Sequence, residues 1–164
     1  PTPETGAELV IDAQLRGGAS AIYHVLDEDD VARIMRHPWT MVASDGRLTE
    51  PGIGHPHPRW YGTFPRVLGH YARELGVLTL EEAVRKMTSL PAETLGLDDR
   101  GRIAEGLVAD LVVFDPETVI DRATFQDPHQ YPEGIDFVVV NGVVTVDGGE
   151  YLDVRPGRVL RRGR

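Results

Sequence analysis

The chain has 164 residues, 41% of them hydrophobic, and its 17 Lys and Arg against 26 Asp and Glu leave a net charge of −9. That is enough apolar content for a packed core, and the wrong sign for a phosphate-binding surface, which needs clustered cations. There is no cysteine, so disulfides and cysteine-ligated metals are excluded, and no apolar run approaches the roughly 18 residues of a membrane span.

The chain opens Pro1-Thr2-Pro3-Glu4, with neither Met nor a basic-then-apolar leader, and so reads as cut from something longer, with the cytoplasm as the expected compartment. A loop and then a helix are expected up to Gly17-Gly18, a strong stop. Ala19 to Val25 reads as a short strand. Asp27 is a good N-cap, and Glu28, Asp29 and Asp30 sit in a first turn where the helix dipole favours negative charge. Val31, Ile34 and Met35 form the apolar stripe of that helix, and Pro38 ends it. Trp39 to Ser44 is a second short strand, closing in the turn Ser44-Asp45-Gly46. The order helix, strand, helix, strand has the rhythm of a parallel α/β sheet or barrel.

Leu48 to Pro65 has no periodicity and is crowded with Pro, Gly, His and aromatic residues. It reads as a long ordered loop, which in a compact domain is usually functional. A helix is expected over Arg66 to Leu75 with Gly76 as its stop. A second begins at the capping box Thr79-Leu80-Glu81-Glu82. A further turn runs to Gly96, a natural left-handed stop. After Leu97 the pattern changes to period two. Ala109 to Pro116 reads as a buried strand, Asp121 to Gly134 as irregular, and Phe137 to Val146 as a hairpin whose Asn141-Gly142 suits a type I′ turn. Asp147-Gly148-Gly149 makes another turn. The fold class expected is α/β followed by a small all-β part, divided near Leu97.

Asp45 ends a short strand at the mouth of the long loop, where barrel enzymes present catalytic carboxylates. Asp-Gly is also a common turn dipeptide, so from spacing alone the plain turn stays open. His55-Pro56-His57 has the look of a metal-binding pair, but flanking prolines favour a polyproline course that spreads the two rings. His24 reads as a hydrogen-bonded core or barrel-rim residue, His70 as packed or solvated on its helix, and His37 and His129 as a helix terminus and a loop residue. Arg59 could grip a substrate carboxylate with its planar fork, or be a surface arginine. Tyr23 could donate from a barrel mouth, or pack. No phosphate cradle or Ser-His-Asp order is present.

As a set these residues become specific. Ile22 to Val31, then His37-Pro38-Trp39-Thr40-Met41 running into Ser44-Asp45-Gly46, resembles the N-acyl-D-amino-acid deacylases (D-aminoacylases). So does His55-Pro56-His57-Pro58-Arg59 followed by Gly62 to Tyr71. Glu81 to Thr88, Pro91-Ala92-Glu93, Gly96-Leu97, Gly101-Arg102-Ile103, Gly106 and Ala109 to Asp115 are typical of the wider amidohydrolase superfamily. The loop between Asp45 and Arg59 is longer than the family pattern.

The resemblance implies the C-terminal part of a TIM-barrel metal-dependent hydrolase over residues 1–97, with a long active-site loop over 46–65. Residues 98–164 would be strands of a small β-sandwich. Ala21 to Val25 would be barrel strand seven and Trp39 to Ser44 strand eight. Asp45 would be the strand-eight aspartate that contacts one or two zinc ions, takes a proton from the attacking water and delivers it to the leaving amine. Arg59 would bind the substrate carboxylate, and Tyr23 would contact substrate. The other metal ligands would lie upstream, so the expected partners are an N-acyl amino acid and the N-terminal barrel portion, on the same or a separate chain. The chain alone is expected to be inactive, and neither nucleic acid nor membrane is expected as a partner. Two further readings stay open. One is a cyclic amide hydrolase of the hydantoinase or dihydropyrimidinase kind, or a D-residue dipeptidase. The other is a non-catalytic interaction module.

Overall fold

The structure is a computed structural model that describes residues 2–18 and 21–161. Helix α1 spans Pro3–Leu15. Thr2 caps it by accepting the Thr5 amide, with Pro3 in the first turn, and the chain leaves it through Gly17 at φ 105°. None of its residues is buried, and Leu9, Val10, Ile11 and Leu15 stand exposed. Helix α2, Glu28–Arg36, begins as its sequence dictates. Asp27 accepts the Asp29 amide at 2.9 Å, three acids fill the first turn, and Arg33 and Arg36 sit in the last.

Neither of the two expected parallel strands forms. Residues 21–27 and 40–50 have no strand pairing, and Ala19 and Ser20 lie outside the described residues. A barrel strand is held by ladders on both sides, and among the described residues no parallel neighbour lies beside either segment. The second segment instead leans on a helix, through the Val42 amide donating to the Lys86 carbonyl at 3.1 Å.

The long loop ends earlier than expected. Arg59–Arg66 is helix α3, which contains Pro65 and runs straight into a π-helical segment, Val67–Glu74. Pro65 has no amide to donate to the preceding turn, and the wider winding begins two residues after it. This composite helix is the centre of the core. Val67, Leu68, Tyr71 and Ala72 are buried with Val77, Leu78, Ala83 and Val119, and Val31, Met35, Val42, Phe114 and Ile135 pack on them. Gly69 is required by close approach. A Cβ there would lie 2.4 Å from the Val119 carbonyl oxygen and 2.6 Å from the Ile120 side chain.

Helix α4, Leu80–Met87, starts where Thr79 accepts the Glu82 amide. Only half of the expected capping box forms, because the Glu82 carboxylate turns away to Arg85. Helix α5, Ser89–Leu95, ends at Gly96 in the left-handed region, φ 69°. The all-β part is one antiparallel sheet in the order β1-β2-β3-β4, with β1 Leu111–Phe114, β2 Ile135–Val140, β3 Val143–Asp147 and β4 Glu150–Tyr151. Asn141 and Gly142, at φ 48° and 79°, make the tight turn that two positive-φ residues allow. Strand β1 is shorter than expected and is not buried. Val112 and Val113, which point to opposite faces, are each about half exposed, so neither face of β1 is fully covered. Among the described residues no helix is long and apolar enough to cross a membrane.

Candidate active site

Asp45 and Arg59 meet. Arg59 Nη2 lies 2.7 Å from Asp45 Oδ2, and Arg59 Nε donates to the Asp45 carbonyl oxygen at 3.3 Å. Local structure at both ends brings about the encounter. The Gly46 amide donates to Ser44 Oγ at 2.9 Å, a side-chain turn that projects Asp45 outward. A Cβ on Gly46 would fall 3.2 Å from the Trp60 Cα and 3.4 Å from the Arg59 carbonyl oxygen, so this glycine lets the loop lie against the start of α3. Arg59 itself is the first residue of α3, and the His57 ring accepts its amide through Nδ1 at 3.0 Å. The pair faces solvent, with the Asp45 side chain 84% and that of Arg59 43% exposed. An ion pair so placed is worth about 0–1 kcal/mol, so a competing carboxylate can displace it.

Tyr23 stands apart. It is 78% exposed, and among the described residues no hydrogen bond joins it to Asp45 or Arg59. The structure therefore brings together two of the three candidate residues.

The histidine pair has another use. His55 Nε2 donates to the Phe125 carbonyl oxygen at 2.7 Å, while His57 spends Nδ1 on α3. His129 ties down the same loop. Its Nε2 donates to the Gly54 carbonyl at 3.1 Å, which leaves Nδ1 to accept the Gly52 amide at 3.3 Å and to meet the Tyr61 hydroxyl at 2.9 Å. The long loop is thus pinned to residues 125–129. Phe125 also packs edge-on against His24 and His57, with centroids 4.5 and 5.2 Å away. Burial, the nearby Arg59 charge and His24 lower the His57 pKa, against a smaller opposing pull from Asp45, so the ring is neutral at neutral pH.

A cleft of about 490 Å³ opens beside this group, lined by His57, Arg59, Phe125, Arg66, Tyr71 and Asp121 among others. Its lining is braced by Arg66, 3.3 Å from the nearly buried Asp121, and by the Tyr71 hydroxyl donating to Glu28 at 2.9 Å. Among the described residues no group of three or more His, Asp or Glu side chains converges to hold a metal. Asp45 fits as one ligand, an exposed carboxylate at a turn, with no two further such groups beside it among the described residues. Sequence reasoning missed His57 as the anchor of Arg59. The signal was its place two residues before the first residue of a helix, which only a correct helix boundary would have exposed.

The amidohydrolase family model matches residues 5–146. An N-acyl-D-glutamate deacylase of Alcaligenes xylosoxydans xylosoxydans is 47% identical over 174 residues, covering 99% of this chain and 35% of that protein. A solved D-aminoacylase with a binuclear metal centre, described by one-metal activation and second-metal attenuation, superposes with a TM-score of 0.81 at 46% identity, over 94% of this chain and 34% of that one. An N-acyl-D-glutamate deacylase from Bordetella bronchiseptica, solved with zinc and a phosphonate that mimics the tetrahedral intermediate, gives 0.72 at 49% identity, over 83% and 28%. The chain spans about a third of the length of these relatives.

Proposed function

The chain belongs to the amidohydrolase family, and on that premise we propose that it is the C-terminal part of a zinc-dependent deacylase that hydrolyses the amide bond of N-acyl-D-amino acids. The assembled enzyme is this chain together with the upstream portion its relatives carry. In it, residues 1–97 complete a (β/α)8 barrel and residues 98–164 contribute to a small β-sandwich. The exposed apolar residues of α1 and of residues 21–27, among them Leu9, Leu15, Val25 and Leu26, suit burial against that portion. Segments 21–25 and 39–44 then gain the parallel neighbours they lack here.

The observation that carries the reading is the Asp45–Arg59 ion pair, 2.7 Å long, whose arginine lines the cleft. It puts a carboxylate that can carry protons beside a fork that can bind an anion. When bound, zinc supplies Lewis-acid polarisation of the scissile carbonyl and makes water acidic enough to attack near neutral pH. Asp45 is one of its ligands, with the rest upstream. The Asp45 carboxylate accepts the proton of the attacking water and passes it to the leaving nitrogen, so the amine departs neutral. Arg59 binds the substrate α-carboxylate with two charge-assisted hydrogen bonds, exchanging the Asp45 carboxylate for that of the substrate. This frees Asp45 as the substrate seats, and it fixes which face of the α-carbon is presented. Tyr23 contacts the substrate from the neighbouring segment.

The test is a substrate panel on the assembled enzyme, with N-acetyl-D-amino acids, their L enantiomers, hydantoins and D-dipeptides. Preference for the N-acetyl-D substrates is the expected result. Turnover confined to the cyclic amides would move the assignment to the hydantoinase kind, and turnover of none, with zinc bound, would favour a non-catalytic module.

A further inference from the structure

Lys86 is the one ionisable side chain among the described residues with no solvent exposure at all. It lies on α4, whose sequence reads as an ordinary amphipathic helix, and it does not belong to the cleft. Its ammonium donates to the carbonyl oxygens of His37 and Thr40, the latter at 3.1 Å, and lies 3.6 Å from Glu82. Its own carbonyl, one of those left without a partner at a helix C-terminus, accepts the Val42 amide at 3.1 Å. Arg85, gripped through two nitrogens by Glu82, donates to the Pro38 carbonyl at 2.8 Å. The last turn of α4 therefore holds residues 37, 38, 40 and 42 by their backbone. Asp45 follows three residues after the last of these.

A buried ammonium is a costly way to hold a turn, and it persists only where its donors are used. Here three features coincide: full burial, acceptors that are all backbone carbonyls apart from Glu82, and a clamped segment that leads directly to the proposed proton carrier. We propose that Lys86, with Arg85, is the positioning residue that sets where Asp45 stands, and so acts on turnover through Asp45 rather than by touching substrate. The inference rests on the catalytic reading of Asp45. The effect on substrate binding is the smaller one, because the Arg59 backbone is anchored separately by His57 and α3.

The experiment compares Lys86→Met, Lys86→Arg, Arg85→Gln and Asp45→Asn in the assembled, zinc-loaded enzyme. Met keeps the stem and removes the donors. A misplacement of about 1 Å at a reacting group costs on the order of 100-fold. Lys86→Met should accordingly lower kcat about 10- to 100-fold with KM within about twofold, and it should speed hydrogen exchange at the Val42 amide. Lys86→Arg should recover part of kcat, and Arg85→Gln should lose severalfold. Wild-type kcat and unchanged Val42 exchange in folded Lys86→Met, with Asp45→Asn inactive, would overturn the positioning role. If Lys86→Met does not fold, Arg85→Gln decides, and an unchanged kcat there overturns the proposal. Turnover retained in Asp45→Asn would instead refute the catalytic reading on which the inference rests.

Discussion

Replacing Arg59 by Ala separates its two proposed partners. In the free chain the Arg59–Asp45 pair is exposed, with the two side chains 43% and 84% accessible, so its loss costs stability no more than about 1 kcal/mol. With substrate bound, the same fork makes two charge-assisted hydrogen bonds to a carboxylate, each worth about 1.5–3 kcal/mol. Subtracting the pair given up, the net contribution is about 2–5 kcal/mol, which corresponds to a loss of roughly 30- to 5000-fold in kcat/KM. Most of it should fall on KM, because the α-carboxylate is charged in ground and transition states alike. The assay is steady-state kinetics of wild-type and Arg59→Ala enzyme on an N-acetyl-D-amino acid, and on the matching N-acetyl amine that lacks the carboxylate. The variant should lose its advantage only on the first substrate. Equal losses on both would show that Arg59 does not read the carboxylate, and no loss on either would show that it is a surface arginine.

Three other outcomes follow from the geometry. Gly69→Ala gains about 1 kcal/mol of helix propensity in principle. Its new methyl group would lie 2.4 Å from the Val119 carbonyl oxygen, though, and overpacking of that kind costs about 1–3 kcal/mol, so urea unfolding should show net destabilisation. The His57 pKa is held below its ordinary value of 6.5 by burial and by Arg59, so this group contributes stability above pH 6.5 that is lost as pH falls through the lowered value. Protonation also removes the Nδ1 acceptor from the Arg59 amide, and KM should rise on acidification in wild type and be less pH-dependent in His57→Asn. Glu82, bonded to Arg85, is held down to about 2, so its contribution is present above the usual carboxylate range and lost as pH falls towards 2. Urea unfolding followed by circular dichroism should show wild type more stable than Glu82→Gln above the usual carboxylate range, with the difference shrinking as pH falls towards 2.

What the sequence made legible was local. Asp27, Thr79, Gly96 and the Asn141-Gly142 turn act within a few residues of themselves, and each appears where its side chain or its φ requires. The candidate pair Asp45 and Arg59 was legible through family motifs rather than spacing, and the structure brings the two side chains into contact. The strands over 19–25 and 39–44 were read from apolar runs, but a strand is completed by its neighbours, and among the described residues none stands beside 21–25 or 39–44. Helix α3 was hidden by Pro58, Gly62 and Pro65, which leave no apolar period to detect. His55 and His57 looked like a pair because the partners that occupy them, the Phe125 carbonyl and the Arg59 amide, are not visible in a motif. Nothing in the pattern of α4 marks Lys86 for burial, which depends on a segment more than forty residues away.

The most direct measurement is kcat for Asp45→Asn in the assembled enzyme on an N-acetyl-D-amino acid, with zinc content determined on the same sample. Asn keeps the size of the side chain and a carbonyl oxygen that can still face a metal, but it cannot accept and return a proton. Turnover should fall by about 1000-fold or more, with KM close to wild type and zinc still present. Near wild-type turnover would contradict the assignment of proton transfer to Asp45.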